Sequence, residues 1–187
     1  MQDKIFVISG PSGVGKGSII DQISKKLKNI HIATSATTRE PRKEEEKNKR
    51  YYFISKEEFQ EKIKKNAFIE YCKVHNNFYG TLKTELNPLN EGKIVILEID
   101  TQGAEKIKTK INGLFIFIAA PSQQELKKRL ENRGTESKEK IEERLKNAKK
   151  ELQKTNIYDY VLINKKIEES ANLIIKIIQK ERMNNDK

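Results

Sequence analysis

The chain has 187 residues, of which 35% are hydrophobic and 35% are charged, and its formal net charge is +11. Its longest apolar runs, residues 5–8 and 114–120, are far shorter than the roughly 20 residues that a membrane-spanning helix needs. Because Cys72 is the only cysteine and neither histidine has metal-ligand spacing, no intramolecular disulfide and no metal site are expected. We therefore expect one soluble, cytoplasmic domain without a membrane partner.

The positive charge has two explanations. A basic protein can bind nucleic acid or small anions, or its lysines can simply cover solvated helix faces. Here the lysines are scattered in pairs along the chain, and aromatic residues are not interleaved with them as in base-stacking surfaces. We favour the second explanation and expect no nucleic-acid partner.

The periodicity of apolar residues predicts strands that alternate with helices. Residues 4–9 form a short β-branched run, and residues 17–27 have the spacing of an amphipathic helix. Later segments repeat this alternation, with predicted strands at 93–99, 114–119 and 160–163 and predicted helices at 122–132 and 137–154. A last helix is predicted from a stripe formed by Ile167, Ala171, Ile174, Ile175 and Ile178. This alternation indicates an α/β fold with a parallel sheet covered on both faces.

The middle of the chain departs from this alternation. Residues 51–54 and 68–74 resemble half-exposed strands, and Ser55 and Glu58 have capping-box spacing for a helix between them. We interpret this insert of roughly fifty residues as a separate lobe docked on the core.

The segment GPSGVGKGS, residues 10–18, follows the first strand and opens the first helix. Glycines in this context let backbone N–H groups converge on a phosphate, and Lys16 can reach the outer phosphates. The alternative is a glycine-rich turn with a chance lysine. The pattern usually has Ser or Thr directly after the lysine, but Gly17 stands there and Ser18 follows. The predicted ATP-binding residues are Gly10, Pro11, Ser12, Gly13, Val14, Gly15, Lys16, Gly17 and Ser18.

Seven motifs occur in an order that resembles the guanylate kinase family over nearly the whole chain. They are GPSGVGK at 10–16, SATTREPR at 35–42, YYF at 51–53, FIE at 68–70, FYGT at 78–81, IDTQG at 99–103 and KRLENRG at 128–134. The resemblance implies a P-loop NTPase-type parallel core with an inserted, largely β GMP-binding lobe and a mobile helical lid. It divides the single domain into a core at about 1–33, 84–122 and 151–187, a lobe at about 34–83 and a lid at about 123–150.

The resemblance also implies a GMP site. One group of residues holds the GMP phosphate, which suits paired guanidinium donors and phenolic hydroxyls: Arg39, Arg42, Tyr51 and Tyr79. A second group reads the guanine edge, where a carboxylate accepts from two N–H groups that adenine lacks: Ser35, Glu70, Thr81 and Asp100. Without the resemblance, each tyrosine would be interpreted as an ordinary half-buried packing residue. Glu70 would be interpreted as a strand residue that points outward.

The implied reaction is the transfer of a phosphoryl group from ATP to GMP. Catalysis then depends on positioning and on charge neutralisation. The implied catalytic residues are Lys16, Arg39, Arg133 and Arg144, with Arg129 as a helper that could equally be a surface cation. Asn164 matches a residue near the adenine of ATP. Mg²⁺ is expected to arrive with ATP and to be held mainly by phosphates and water.

Three positions depart from the family pattern. Residues 43–50 contain no glycine, Glu98 stands where Asp is usual, and Lys165 follows Asn164 where Asp is common. A non-catalytic guanylate-kinase-like interaction module is the alternative of another class. Such modules lose phosphate-loop or GMP-site residues, whereas this chain keeps Lys16 and the implied GMP residues, so we expect an enzyme. A monomer or a homodimer is expected.

Overall fold

The computed structural model describes residues 5–41, 51–74, 76–132 and 137–185, and Arg42 and Arg133 therefore lie outside the described residues. Within these ranges two sheets are formed. In chain order the elements are β1 (Ile5–Ser9), α1 (Lys16–Lys26), β2 (Ile30–Ile32), β3 (Ser35–Thr37), β4 (Tyr51–Phe53), α2 (Lys56–Lys64), β5 (Phe68–Val74), β6 (Asn77–Leu82), a 3-10 helix (Lys83–Glu91), β7 (Ile94–Glu98), α3 (Thr101–Ile107), β8 (Leu114–Ala119), α4 (Gln123–Asn132), α5 (Lys138–Leu152), a short 3-10 helix (Thr155–Ile157), β9 (Tyr160–Ile163) and α6 (Ile167–Asn185).

The first sheet is the core of the protein. Its five strands are all parallel and run in the order β2-β7-β1-β8-β9. Alternate residues of β8 enter different apolar clusters: Ile116 and Ile118 pack with α1 and α6, whereas Phe115 and Phe117 pack with α3 on the other face. Burial of both faces explains why β1, β7 and β8 are almost uninterrupted apolar runs. The expected covering of both faces does not extend to the edge strand β9, where Val161 and Ile163 are exposed. The predicted α/β class with a parallel core is confirmed.

The second sheet has the order β4-β3-β6-β5, in which β6 is antiparallel to both of its neighbours. Helix α2 covers it, with the Phe59 ring stacked 4.5 Å from Phe68 and 5.4 Å from Phe78 between ring centroids. The predicted cap of this helix is present, because Ser55 Oγ accepts from the Glu58 N–H at 3.0 Å. Burial alternates along β5, as expected for a strand with one face on a small core.

Some elements differ from the expectation. The strands β2, β3 and β6 have too few apolar residues in sequence to stand out, and their identity comes from pairing with distant segments. Helix α3 has only seven residues, too few to show a helical period. Ile167 was expected on the buried stripe of α6 but is 40% exposed, whereas Ile177 is buried. Ile167 is the first residue of α6, and helical side chains tilt towards the N-terminus, so it points past the packed region. No helix among the described residues is long and apolar enough to span a membrane.

Candidate functional site

The loop between β1 and α1 is built to bring backbone close to a ligand. Gly10 and Gly15 have φ angles of 139° and 95°, which side-chain-bearing residues rarely adopt. A Cβ at Gly10 would overlap the Ile118 carbonyl, and one at Gly15 would lie 2.8 Å from Asn164 Nδ2. Gly15 is also the N-cap of α1 and supplies no side-chain cap, which leaves the first turn's N–H groups available to an anion.

Two cations converge on this loop. Lys16 Nζ donates to the carbonyls of Gly10 at 2.5 Å and Pro11 at 3.1 Å, so its ammonium lies over the loop. From helix α5, the Arg144 guanidinium donates to Ser12 Oγ. The predicted residues Lys16 and Arg144 are thus brought together although they lie far apart in the chain.

Asn164 lies behind the loop. It is 1% exposed, its Nδ2 donates to the Val14 carbonyl at 2.7 Å, and its Oδ1 accepts from Ser170 Oγ at 2.9 Å. Arg129 contacts the same residue, because one of its terminal nitrogens donates to the Asn164 backbone carbonyl at 3.0 Å. This geometry favours a role for Asn164 and Arg129 in holding the shape of the loop, and the expected contact of Asn164 with adenine stays a prediction.

A buried carboxylate projects from β5 of the second sheet. Glu70 is 5% exposed, and its Oε1 accepts from Thr81 Oγ1 at 2.9 Å. Burial raises the pKa of Glu70 to about 7, against the Thr81 hydrogen bond, and the negative charge of Asp100 adds to the rise. A Cβ at Gly103 would lie 2.8 Å from Glu70 Oε2, so the absence of a side chain at Gly103 admits the carboxylate.

Asp100 is held from two sides. Its Oδ1 accepts from the Gly103 N–H at 2.7 Å as the N-cap of α3, and its Oδ2 accepts from Cys72 Sγ at 3.0 Å. Burial raises the pKa of Cys72, so its thiol stays protonated and can donate. The sequence reasoning assigned no role to Cys72, although the period-2 alternation of β5 places it on the same face as Glu70.

The residues expected at the GMP phosphate also cluster. The rings of Tyr51 and Tyr79 meet edge to face at 6.2 Å between centroids, and Arg39 Cζ lies 5.6 Å from the Tyr51 centroid. Ser35 pairs in register with both Tyr51 and Thr81. The β-sheet pairing thus assembles the predicted set, apart from Arg42, from strands distant in sequence.

One cleft of about 1250 Å³ joins the two walls. It is lined by residues of the phosphate loop, by α5, which adds Arg144 and Glu151, and by six of the predicted GMP residues: Ser35, Arg39, Tyr51, Glu70, Tyr79 and Asp100. Thr81 is buried behind Glu70 and does not line the cleft. Burial raises the pKa of Glu151, while the positive charge of Lys16 opposes the rise. Among the described residues, no group of three or more His, Cys, Asp or Glu side chains could hold a metal ion.

A parallel sheet with a phosphate loop at the carboxyl end of β1, facing a side-chain pocket across a cleft, defines a P-loop nucleotide-binding protein. Comparisons with known proteins then specify the family. The family model for guanylate kinase matches residues 2–181. The chain belongs to the guanylate kinase family, which confirms the resemblance carried by the seven motifs.

Individual relatives agree with this assignment over almost the full chain. A guanylate kinase of Clostridium tetani is 45% identical over 98% of this chain and 88% of its own length. That of Thermotoga maritima is 42% identical over 97% of this chain and 89% of its own length. The crystal structure of guanylate kinase from Anaplasma phagocytophilum superposes with a TM-score of 0.81 at 34% identity, covering 97% of this chain and 87% of that one.

Proposed function

We propose that this protein is a catalytic guanylate kinase, which transfers the γ-phosphoryl group of ATP to the phosphate of GMP and gives ADP and GDP. The observation that carries the proposal is a cleft that has the phosphate loop on one wall and the buried Glu70 on the other. The two walls suit a donor nucleotide and an acceptor nucleotide whose phosphates meet between them.

On the donor wall, the loop and the N-terminus of α1 hold the ATP phosphates through backbone N–H groups. Lys16 and Arg144 then neutralise charge on the phosphoryl group as it moves. Phosphoryl transfer asks for little covalent chemistry from the protein, so positioned cations are sufficient. Arg133 is proposed for the same role, and it lies outside the described residues.

On the acceptor wall, ionised Glu70 accepts hydrogen bonds from N1–H and the exocyclic N2–H₂ of guanine, with Ser35, Thr81 and Asp100 around it. Adenine has an acceptor at N1 and no amino group at C2, so it would leave the buried carboxylate unpaired. At the other end of the pocket, Arg39, Tyr51 and Tyr79 hold the GMP phosphate, and Arg42 is proposed to join them.

ATP brings the phosphoryl group and, we propose, Mg²⁺, held by its phosphates and water. The cleft offers Ser18 and Glu98 to that hydrated ion rather than a cage of carboxylates. Addition of a chelator in excess of Mg²⁺ should therefore abolish turnover and leave the fold unchanged, as measured by circular dichroism.

The decisive experiment is an ADP-release assay with ATP and, in turn, GMP, AMP, CMP and UMP. Of the four acceptors, only GMP should support rapid release of ADP. Equal release with all four acceptors, or without any acceptor, would contradict the proposed specificity. A protein that binds GMP but releases no ADP would be the non-catalytic module, an alternative that the curated relatives do not favour.

We further propose that the lobe at about 34–83 and the lid at about 123–150 close over the bound nucleotides. Arg144 of α5 already contacts the loop at Ser12, and closure would exclude the water that could otherwise hydrolyse ATP. Small-angle scattering should give a smaller radius of gyration with a bisubstrate analogue than without it. Identical curves would contradict the closure.

A further inference from the structure

The chain passes between the two sheets at two places that lie side by side. It leaves the parallel core after β2 and enters the second sheet at β3, and it returns from β6 into the 3-10 helix Lys83–Glu91. Glu85 is in the returning segment and is only 7% exposed. A buried carboxylate outside the catalytic cleft requires hydrogen-bond partners, and its partners identify what it holds.

Three groups from three segments converge on this carboxylate. The Thr34 backbone N–H donates to Glu85 Oε2 at 2.8 Å, and His31 Nε2 lies 2.8 Å from the same oxygen. The Tyr52 hydroxyl donates to Glu85 Oε1 at 3.2 Å. His31 belongs to the edge strand of the core, Thr34 to the outgoing connection and Tyr52 to β4 of the second sheet. A single side chain thus fastens both crossings and both sheets together.

The fastened residues are direct neighbours of the proposed GMP site. Thr34 precedes Ser35, and Tyr52 follows Tyr51. Ser35 and Tyr51 are a register pair of the second sheet, and both line the cleft. A shift of either strand end would therefore move side chains that are proposed to contact GMP.

We propose that Glu85 is a positioning residue that fixes the orientation of the GMP-binding lobe on the core and so determines the affinity for GMP. This inference rests on the proposed function, because it assumes that the lobe binds GMP. Glu85 does not line the cleft and acts through Thr34, which does, and through Tyr52.

The energetic reason is that the network is difficult to replace. Hydrogen bonds to a charged carboxylate are stronger than those between neutral groups, and the Thr34 N–H, His31 and the Tyr52 hydroxyl all share the Glu85 carboxylate as a partner. The pKa of Tyr52 is raised, through partial burial and through the negative charge of Glu85, which agrees with a hydroxyl that keeps its proton and donates it.

Without this network the lobe would sample orientations in which Ser35 and Tyr51 are misplaced. Ligand affinity falls in proportion to the fraction of molecules that are competent to bind. GMP binding should weaken accordingly. ATP binding should be almost unchanged, because the phosphate loop is carried by β1 and α1 on the core.

The test is steady-state kinetics of Glu85→Gln and Tyr52→Phe with GMP and ATP varied separately, together with thermal unfolding. For Glu85→Gln we expect the KM for GMP to rise about 5-fold or more, within the usual range of coupling between sites. For Tyr52→Phe we expect about a 2- to 5-fold rise from the loss of one hydrogen bond. The KM for ATP should stay within about twofold in both variants.

Two comparisons make the test specific. Glu91→Gln changes an exposed carboxylate of the same 3-10 helix, paired with Lys93, and should leave both KM values unchanged. The double variant Glu85→Gln/Tyr52→Phe should raise the KM for GMP by less than the product of the single effects, because both changes act on the hydrogen bond between Glu85 and Tyr52.

The inference is overturned if the KM values for GMP and ATP rise together, or if thermal stability falls while the KM for GMP is unchanged. Should Glu85→Gln not fold, Tyr52→Phe decides alone, and an unchanged KM for GMP in that variant overturns the inference. The activity of the wild-type protein distinguishes a failure of the proposed function from a failure of the inference about Glu85. A wild type that does not phosphorylate GMP contradicts the proposed function, whereas an active wild type with unaffected variants contradicts only the role of Glu85.

Discussion

The two walls of the cleft are built in different ways. The donor wall is one continuous loop whose backbone faces the ligand, with Asn164 and Arg129 holding it from behind. The acceptor wall is a set of side chains carried by four strands and by the start of α3. Backbone N–H groups recognise any phosphate, whereas side chains distinguish one base from another. Damage to the donor wall should therefore abolish the reaction, and damage to the acceptor wall should change which nucleotide is accepted.

The strongest test of this difference is Lys16→Ala. We expect kcat to fall by roughly 10²–10³-fold or more, because a preorganised charge at the moving phosphoryl group is lost. The pattern of acceptor preference among GMP, AMP, CMP and UMP should stay the same in the residual activity.

Lys25→Ala is the matched control, since Lys25 is an exposed lysine in the last turn of the same helix. It should retain wild-type kinetics. If Lys16→Ala folds correctly and turns over normally, the assignment of the donor wall is wrong.

On the acceptor wall, Glu70→Gln should impair GMP selectively. The amide can accept one guanine N–H through its oxygen, but its NH₂ would face a second donor, and a buried unsatisfied group costs roughly 1–3 kcal/mol. We expect the KM for GMP to rise by about 10- to 100-fold and discrimination against AMP to shrink, with ATP binding unchanged. Glu61→Gln, an exposed change in helix α2, is the control for the variant. Equal loss of GMP and ATP binding would contradict the guanine-reading role.

The same variant should be more stable than the wild type in the absence of nucleotide. The pKa of Glu70 is about 7 in the folded protein against an ordinary value of 4.5. Between these values the folded state binds more protons than the unfolded state, so stability falls as pH rises from below 4.5 through about 7. Glutamine does not ionise, so the stability of the variant does not fall in this way as pH rises. At pH 8 we expect a gain of about 3 kcal/mol in the free energy of unfolding, measured with urea, and little difference at pH 4.

The pH dependence of GMP binding sharpens the comparison further. Only ionised Glu70 accepts two guanine N–H groups, so GMP affinity should fall by up to about tenfold per pH unit below pH 7. The GMP phosphate also titrates, near pH 6, and Glu70→Gln isolates that contribution because it lacks the carboxylate. Isothermal titration calorimetry in buffers of different ionisation enthalpy should show proton release on GMP binding to the wild type at pH 6.5. The same release in Glu70→Gln would contradict the assignment.

How far the sequence predicted each wall follows from the same difference. The phosphate loop of the donor wall is local, and its glycines, Lys16 and flanking elements lie within twenty-odd consecutive residues, so one motif in strand–loop–helix context predicted it. Arg144, which reaches this loop from α5, was predicted only through the family resemblance. The strands β1, β7 and β8 were predicted because buried parallel strands are uninterrupted apolar runs. The edge strand β9 was predicted from its apolar sequence, although two of its four residues are exposed.

The acceptor wall is not local. The strands β3 and β6 are polar enough to be missed, and only the pairing of Ser35 with Thr81 and Tyr51 brings the GMP residues together. These residues were predicted through the family resemblance and not through periodicity. Asn164 shows the limit of that approach, because its buried contacts with Val14 and Ser170 are invisible in a motif.

The smallest effect we predict concerns Cys72, which donates from Sγ to Asp100 Oδ2 at 3.0 Å. A thiol is a weak donor, and Asp100 is also fixed by the Gly103 N–H, so Cys72→Ala should raise the KM for GMP only about 2- to 4-fold. Cys72→Ser restores a donor and should lie closer to the wild type, which a loss of packing volume alone would not produce, since serine fills scarcely more space than alanine. Because this thiol is buried and stays protonated, the measurement is kinetic, and the KM for ATP should be unchanged in Cys72→Ala. An equal rise in the KM for ATP would mean that the two walls are not independent, and it would break the separation between donor and acceptor recognition from which the other predictions follow.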